Sequence, residues 1–191
     1  MSEIIDDGSY VAGTEHVDAS VWPTATTWGL ISAAVGFVIT LVQYNAGGWD
    51  IDQTTGQPGA SAIWTIISTV ASIVLIYLGL KSYRDKANQG VLTLGRGVLW
   101  SLAFGVIAGL LSALLVFVFF SVIAPDIVDQ MSIAQENLLE EQGLTGAELE
   151  TARSMTSMFT SPLSFALFSA IGSVIFSLII GLVVSLVVKT R

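Results

Sequence analysis

Polar and apolar positions in this chain fall into long blocks. Residues 21–44, 62–80, 97–123 and 163–188 contain no Asp, Glu, Lys, Arg or His. Crossing the hydrocarbon of a bilayer takes about 20 helical residues at about 1.5 Å each, so each block predicts one transmembrane helix. Soluble domains bury apolar residues but do not string them into several uncharged runs of this length. The expected fold class is all-α: a polytopic membrane protein with four transmembrane helices.

Between the third and fourth blocks the period changes. Ile127, Met131, Ala134 and Leu138 recur at helical spacing, Gly143 interrupts, and Leu149, Ala152, Met155 and Phe159 resume. The pattern predicts a helical hairpin outside the membrane over residues 125–160, its two apolar stripes facing each other. Ala124 and Pro125 mark where the third helix kinks or a new one starts. Thr145 and Glu148 fit a capping box with Leu144 and Leu149 at the staple positions. Pro23 suits a first helical turn, as does Pro162 behind the cap residue Ser161. Turns are expected at residues 45–48, at Gln57, Pro58 and Gly59, and at Asn88, Gln89 and Gly90. Thr93 is the candidate N-cap of the third helix.

Composition sharpens this reading. Hydrophobic residues make up 53% and charged residues only 12%, where soluble domains carry about 25% charge. One membrane domain, residues 21–191, accounts for nearly the whole chain. Residues 1–20 hold Glu3, Asp6, Asp7, Glu15 and Asp18 without Lys or Arg. That is too acidic for a secretory signal, and a disordered cytoplasmic tail is expected. Cysteine is absent and His16 is the single histidine. Disulfides and thiolate metal sites are excluded, a zinc site lacks ligands, and no cofactor is expected. A net charge of −8 disfavours nucleic acid.

The basic residues suggest an orientation. Lys81, Arg84, Lys86 and Arg96 lie between the second and third blocks, and Lys189 and Arg191 follow the fourth. Cytoplasmic loops collect Lys and Arg, so this loop and both termini are expected inside. The segments 45–61 and 124–162, with acids such as Asp50, Asp126 and Glu148 against Arg153 alone, are expected outside. Trp28, Trp49, Trp64 and Trp100 stand near block edges, as interfacial aromatic belts would have them.

Within the blocks, small residues recur every fourth position: Ser169, Ser173, Ser177, Gly181 and Ser185; Gly105, Gly109 and Ala113; Ser32, Gly36 and Thr40. Such faces let helix backbones approach closely, or could line a narrow polar path. No ionisable group lies at membrane depth and no proline interrupts a span, which weakens an ordinary coupled transporter. A serine nucleophile would lack a base. Gly95, Arg96 and Gly97 make no dinucleotide loop, and Asp50 and Asp52 are followed by Thr54 and Thr55, where a calcium loop needs a ligand and a glycine.

Gly79, Lys81, Tyr83, Arg84, Asp85 and Lys86, then Gly90, Leu94, Gly95 and Arg96, form a basic turn. Pro125 and Asp126 follow the third block, and Pro162 and Leu163 open the fourth. In these features, over about residues 25–190, the chain resembles the small bacterial membrane proteins known as domain-of-unknown-function family 4199. The chain departs from them in its acidic N-terminal tail and in Ala124, where Asn would precede the proline. The resemblance implies four spans and a bacterial inner membrane, and carries no activity. Lys81, Tyr83, Arg84, Asp85 and Lys86 read as a topology anchor at lipid headgroups or as a docking site for a partner. The expected role is non-enzymatic, a structural or partner-binding membrane subunit in contact with lipids and with another membrane protein or a second copy. The alternative is a channel or transporter-like protein for neutral or lipid-like solutes.

Overall fold

Pro23 lies in the first turn of α1 (Trp22–Asn45), where its missing N–H removes no helical bond. The computed structural model describes residues 19–52 and 57–189. The tail up to residue 18, with His16, and Thr54, Thr55 and Arg191 lie outside the described residues. After α1 come β1 (Trp49–Asp52), β2 (Gln57–Ala60) and α2 (Ala62–Ser82), which continues through a π-helical turn, Tyr83–Ala87. Then follow α3 (Leu94–Val118) with its own π-helical turn, Phe119–Ile123, α4 (Pro125–Glu141), α5 (Gly146–Phe159) and α6 (Pro162–Val188).

Among the described residues four helices are long and apolar enough to cross a membrane: Trp22–Asn45, Ala62–Ala87, Leu94–Ile123 and Pro162–Val188. Much of their apolar surface faces outward; Leu110 is 67% and Val187 77% exposed. In water such a girdle would drive aggregation, whereas in a bilayer lipid tails cover it. The chain is an integral, multi-pass membrane protein.

The four spans form a ring in the order α1, α3, α6, α2. α3 packs along α6 on one side and α1 on the other, while α2 touches α1 and α6 and barely meets α3. One end of the bundle carries Lys81, Arg84, Lys86, Arg96 and Lys189; the other carries α4 and α5 with their acids. At the basic end, a core cluster gathers Ile76, Leu80, Tyr83, Leu92, Trp100, Phe104 and Val184. Trp100 is wholly buried, stacks on Phe104 with ring centroids 5.3 Å apart, and donates its indole N–H to Thr24 Oγ1 at 3.0 Å. It is a bundle core residue rather than a member of an interfacial belt, because Thr24 on α1 satisfies its N–H inside the protein.

At the acidic end a second cluster joins Phe119, Phe120, Ala124, Ile127 and Met131 to Tyr44, Trp49 and Ile51. Ala124 ends the π-helical turn with a bond from its N–H to the Phe119 carbonyl (2.8 Å), and Pro125 starts α4 afresh. α4 thus turns its buried stripe, Ile127, Met131 and Ala134, onto the bundle end and the ribbon. The two stripes of the expected hairpin do not close on each other. α5 buries no residue, and Met155 and Phe159 remain exposed, because the aromatic bundle end offers α4 more apolar surface than α5 does.

Local expectations fare unevenly. Thr93 Oγ1 accepts from the Arg96 N–H (3.4 Å) and Ser161 Oγ from the Ser164 N–H (3.2 Å), as caps should. Thr145 makes no such bond, and Gly146 after it adopts φ +58°. Gln57, Pro58 and Gly59 are strand rather than turn, paired antiparallel with Asp52, Ile51 and Asp50. An edge strand tolerates proline because its missing N–H can face away from the ladder.

Candidate functional site

The α3–α6 seam is built from reciprocal small residues. A Cβ on Gly97 would overlap Ser185 Oγ, one on Gly105 would overlap Ser177 Oγ, and one on Gly181 would overlap Ser101 Oγ. At Gly109 it would sit 2.8 Å from the Ala170 carbonyl oxygen and 3.4 Å from Ser173 Cβ. Each glycine is therefore the hole for a serine or alanine of the opposite helix, and the backbones meet without intervening bulk. Ser173 Oγ approaches the Gly105 carbonyl across the seam at 3.5 Å. Ser101 and Ser177 bond back to Gly97 and Val174 on their own helices.

Beside this seam the ring of helices does not close. α2 buries only Ile76, Gly79 and Leu80 along its length, all near its basic end. Gly79 fits flat against the Trp100 ring, whose Cζ2 would lie 2.7 Å from an added Cβ. Towards the acidic end α2 stands off, leaving a cavity of about 410 Å³ bordered by all four spans. Hydroxyls from α1 (Ser32), α2 (Ser68, Thr69, Ser72), α3 (Ser112) and α6 (Ser169, Ser173) line it, with Gly36, Gly172 and the Phe176 ring. A smaller space of about 220 Å³ shares Gly36, Ser68, Ser112 and Ser169 and ends at Phe119. The smaller space reaches the aromatic cluster at Phe119, while the larger is an open groove along the helices rather than an enclosed cavity. No charged residue borders either space. Ser68 and Ser72 donate to the Trp64 and Ser68 carbonyls at 2.9 and 2.8 Å.

The small-residue positions marked in the sequence therefore divide. Gly105, Gly109, Ser177 and Gly181 stand in the seam, Ser169 borders the chamber, and Ser173 does both. Ser68, Ser72, Ser112 and Gly172 were not singled out. For Ser68 and Ser72 a signal existed, the four-residue spacing within an apolar block; Ser112 and Gly172 have none in one sequence.

The basic turn is a clasp. Tyr83 is buried and donates its hydroxyl to the Ala19 carbonyl at 2.7 Å, while Asn88 Oδ1 accepts the Ala19 N–H at 2.7 Å. Ala19, within the expected tail, is thereby fixed against the α2–α3 connection. Arg84 Nη1 reaches the Val188 carbonyl at the end of α6 (3.1 Å), a favourable place for a cation. Its Nε pairs with Asp85 Oδ1 at 2.6 Å. The pair is partly exposed, so water screens it and it adds little to stability. Lys81 is exposed, and Lys86 lies beside the clasp in the π-helical turn. The turn joins the N-terminal segment, α2 and α6, which is a structural task. Among the described residues no group of His, Cys, Asp or Glu is placed to hold a metal ion.

No curated protein and no solved structure matches this chain. The model of a family described as a protein of unknown function (DUF4199) matches residues 27–190, from the first turns of α1 to the residue after Lys189. With most of α1, the other three spans, the basic turn and the Pro125 and Pro162 helix starts inside that match, the chain belongs to the DUF4199 family.

Proposed function

We propose that this protein is a non-enzymatic membrane subunit that holds a neutral, lipid-like amphiphile in the chamber between its spans. The observation that carries the reading is the hydroxyl-lined cavity of about 410 Å³ reached by all four helices. Its volume falls in the range of small-molecule sites, about 300–1,000 Å³. Serine and threonine hydroxyls can orient a polar head, and Phe176 and Ala108 offer apolar surface to a chain. The lack of bordering charge favours an uncharged ligand over an ion. No base adjoins the serines, so binding rather than turnover is the natural chemistry. Because the space is an open groove bordered by the spans, the occupant would enter sideways from lipid, which favours a binding subunit over a pore.

The distribution of Lys and Arg supports cytoplasmic termini, and the resemblance to small bacterial membrane proteins is what favours a bacterial inner membrane. The exposed helix faces would accept lipids and a membrane-protein partner or second copy.

Gly36 and Gly172 provide the test. An added Cβ at either meets nothing within 4 Å, so Gly36→Leu and Gly172→Leu start from open space and place apolar bulk at the wall of the cavity. Native mass spectrometry of protein loaded with a diacylglycerol should show retention by the wild type. Each variant should lose the ligand at an unchanged melting temperature. Retention by both variants, or a bare wild type, would refute the reading. Glycerol swelling of proteoliposomes that Gly172→Leu abolishes would make the chamber part of a pore instead.

A further inference from the structure

The exposed face of α5 continues the lipid-facing surface of α6. Met155, Met158 and Phe159, in the last turns of α5, are 62%, 71% and 60% exposed. The opposite side of the helix is tied to α4 by the Arg153–Glu136 ion pair. The Phe159 ring stacks on the Phe168 ring, with centroids 6.4 Å apart and planes within 10° of parallel. Phe168 lies in the second turn of α6, beside Leu163 and Leu167, all more than half exposed on the membrane-spanning helix. Phe159 therefore stands at the depth of a residue already inside an apolar span. The junction contributes no unsatisfied polar rim: Ser161 and Ser164 hydroxyls both donate to the Met158 carbonyl, and Thr160 is buried.

We propose that the C-terminal turns of α5 insert into the headgroup–acyl boundary of the leaflet at the acidic end, with the bilayer itself as partner. An amphipathic helix with a short apolar face binds there by burying that face. Continuity with α6 selects lipid as the occupant, since no gap separates the patch from surface that lipid already covers. The insertion is oblique. Glu148 lies on the same side as Met155 but seven residues earlier, about 10 Å along the axis, and Glu148 and Glu150 are exposed and must stay in water. Only the end nearest α6 enters. The Arg153–Glu136 pair, itself exposed, turns the other side of the helix towards α4 and away from the lipid.

The chain has no cysteine, so one introduced thiol reports one position. Met158→Cys and Glu150→Cys, each carrying an environment-sensitive nitrobenzoxadiazole label, would be compared in phosphatidylcholine–phosphatidylglycerol vesicles, with and without doxyl-labelled lipid. The expected result is blue-shifted emission at 158 that doxyl lipid quenches, and water-like, unquenched emission at 150. Water-like emission at 158 overturns the proposal. So does blue-shifted emission that doxyl lipid leaves intact, since a second copy or another part of the protein would then cover the face.

Discussion

At the scale of single residues, the close approach of α3 and α6 depends on which partner carries the side chain. Gly105 offers no volume and Ser177 supplies a small hydroxymethyl, so one methyl more has nowhere to go. Gly105→Ala would set a Cβ against Ser177 Oγ and 3.0 Å from Val174 Cα, a backbone atom that cannot swing aside. Overpacking of this kind costs about 1–3 kcal/mol, and the melting temperature in detergent should fall. Gly172→Ala, with open space around it, should be neutral or stabilising by up to about 1 kcal/mol from helix propensity. Equal effects of the two changes would contradict the seam. Tyr83→Phe removes the hydroxyl bonded to the Ala19 carbonyl; a net loss of about 1 kcal/mol is expected. The more telling readout is faster proteolysis at residues near Ala19 with the spans intact. The four-residue spacing revealed Gly105, Gly109, Ser177 and Gly181. It did not reveal that glycine faces a serine or alanine of the other helix at each level, which follows from the antiparallel register.

At the scale of elements, α4 is a lid on the aromatic bundle end and α5 lies outside it. Period alone marks two amphipathic helices, and pairing their stripes is the economical expectation. The structure assigns the stripe of α4 elsewhere because Phe119, Phe120 and Trp49 present a larger aromatic surface at the bundle end. Met131 is wholly buried there. Met131→Ala should cost about 2–5 kcal/mol locally and loosen α4. The Trp49 ring, 5.8 Å from both Phe119 and Phe120, lies in this cluster. Faster hydrogen exchange across α4, with that of α6 unchanged, would identify the lid as a separate cooperative unit. Unchanged exchange in α4 would show that it is not held by this contact. The ribbon around Pro58 was illegible for a related reason: proline and glycine signal turns, and only the pairing partner turns such a segment into an edge strand.

At the scale of the whole molecule, the charge asymmetry between the two ends makes the orientation testable. Single cysteines at Gln142, in the connection between α4 and α5, and at Lys189, after α6, would be treated with a membrane-impermeant maleimide. Intact cells should label Gln142→Cys at once and Lys189→Cys only after permeabilisation. The reverse order would invert the proposed topology.

Span number, span limits within a few residues and the division into a basic and an acidic end were all legible along the chain. Each rests on local composition: a residue's cost of transfer into hydrocarbon does not depend on its neighbours in space. The ring order of the helices, the burial of Trp100, the clasp of Tyr83 on Ala19 and the chamber around Ser68 and Ser112 were settled only by tertiary structure. They depend on which faces meet, and in lipid every face of these helices is apolar enough to be a candidate. Packing volume and the reach of a few hydrogen bonds then choose among them, and those quantities exist only once the helices are side by side.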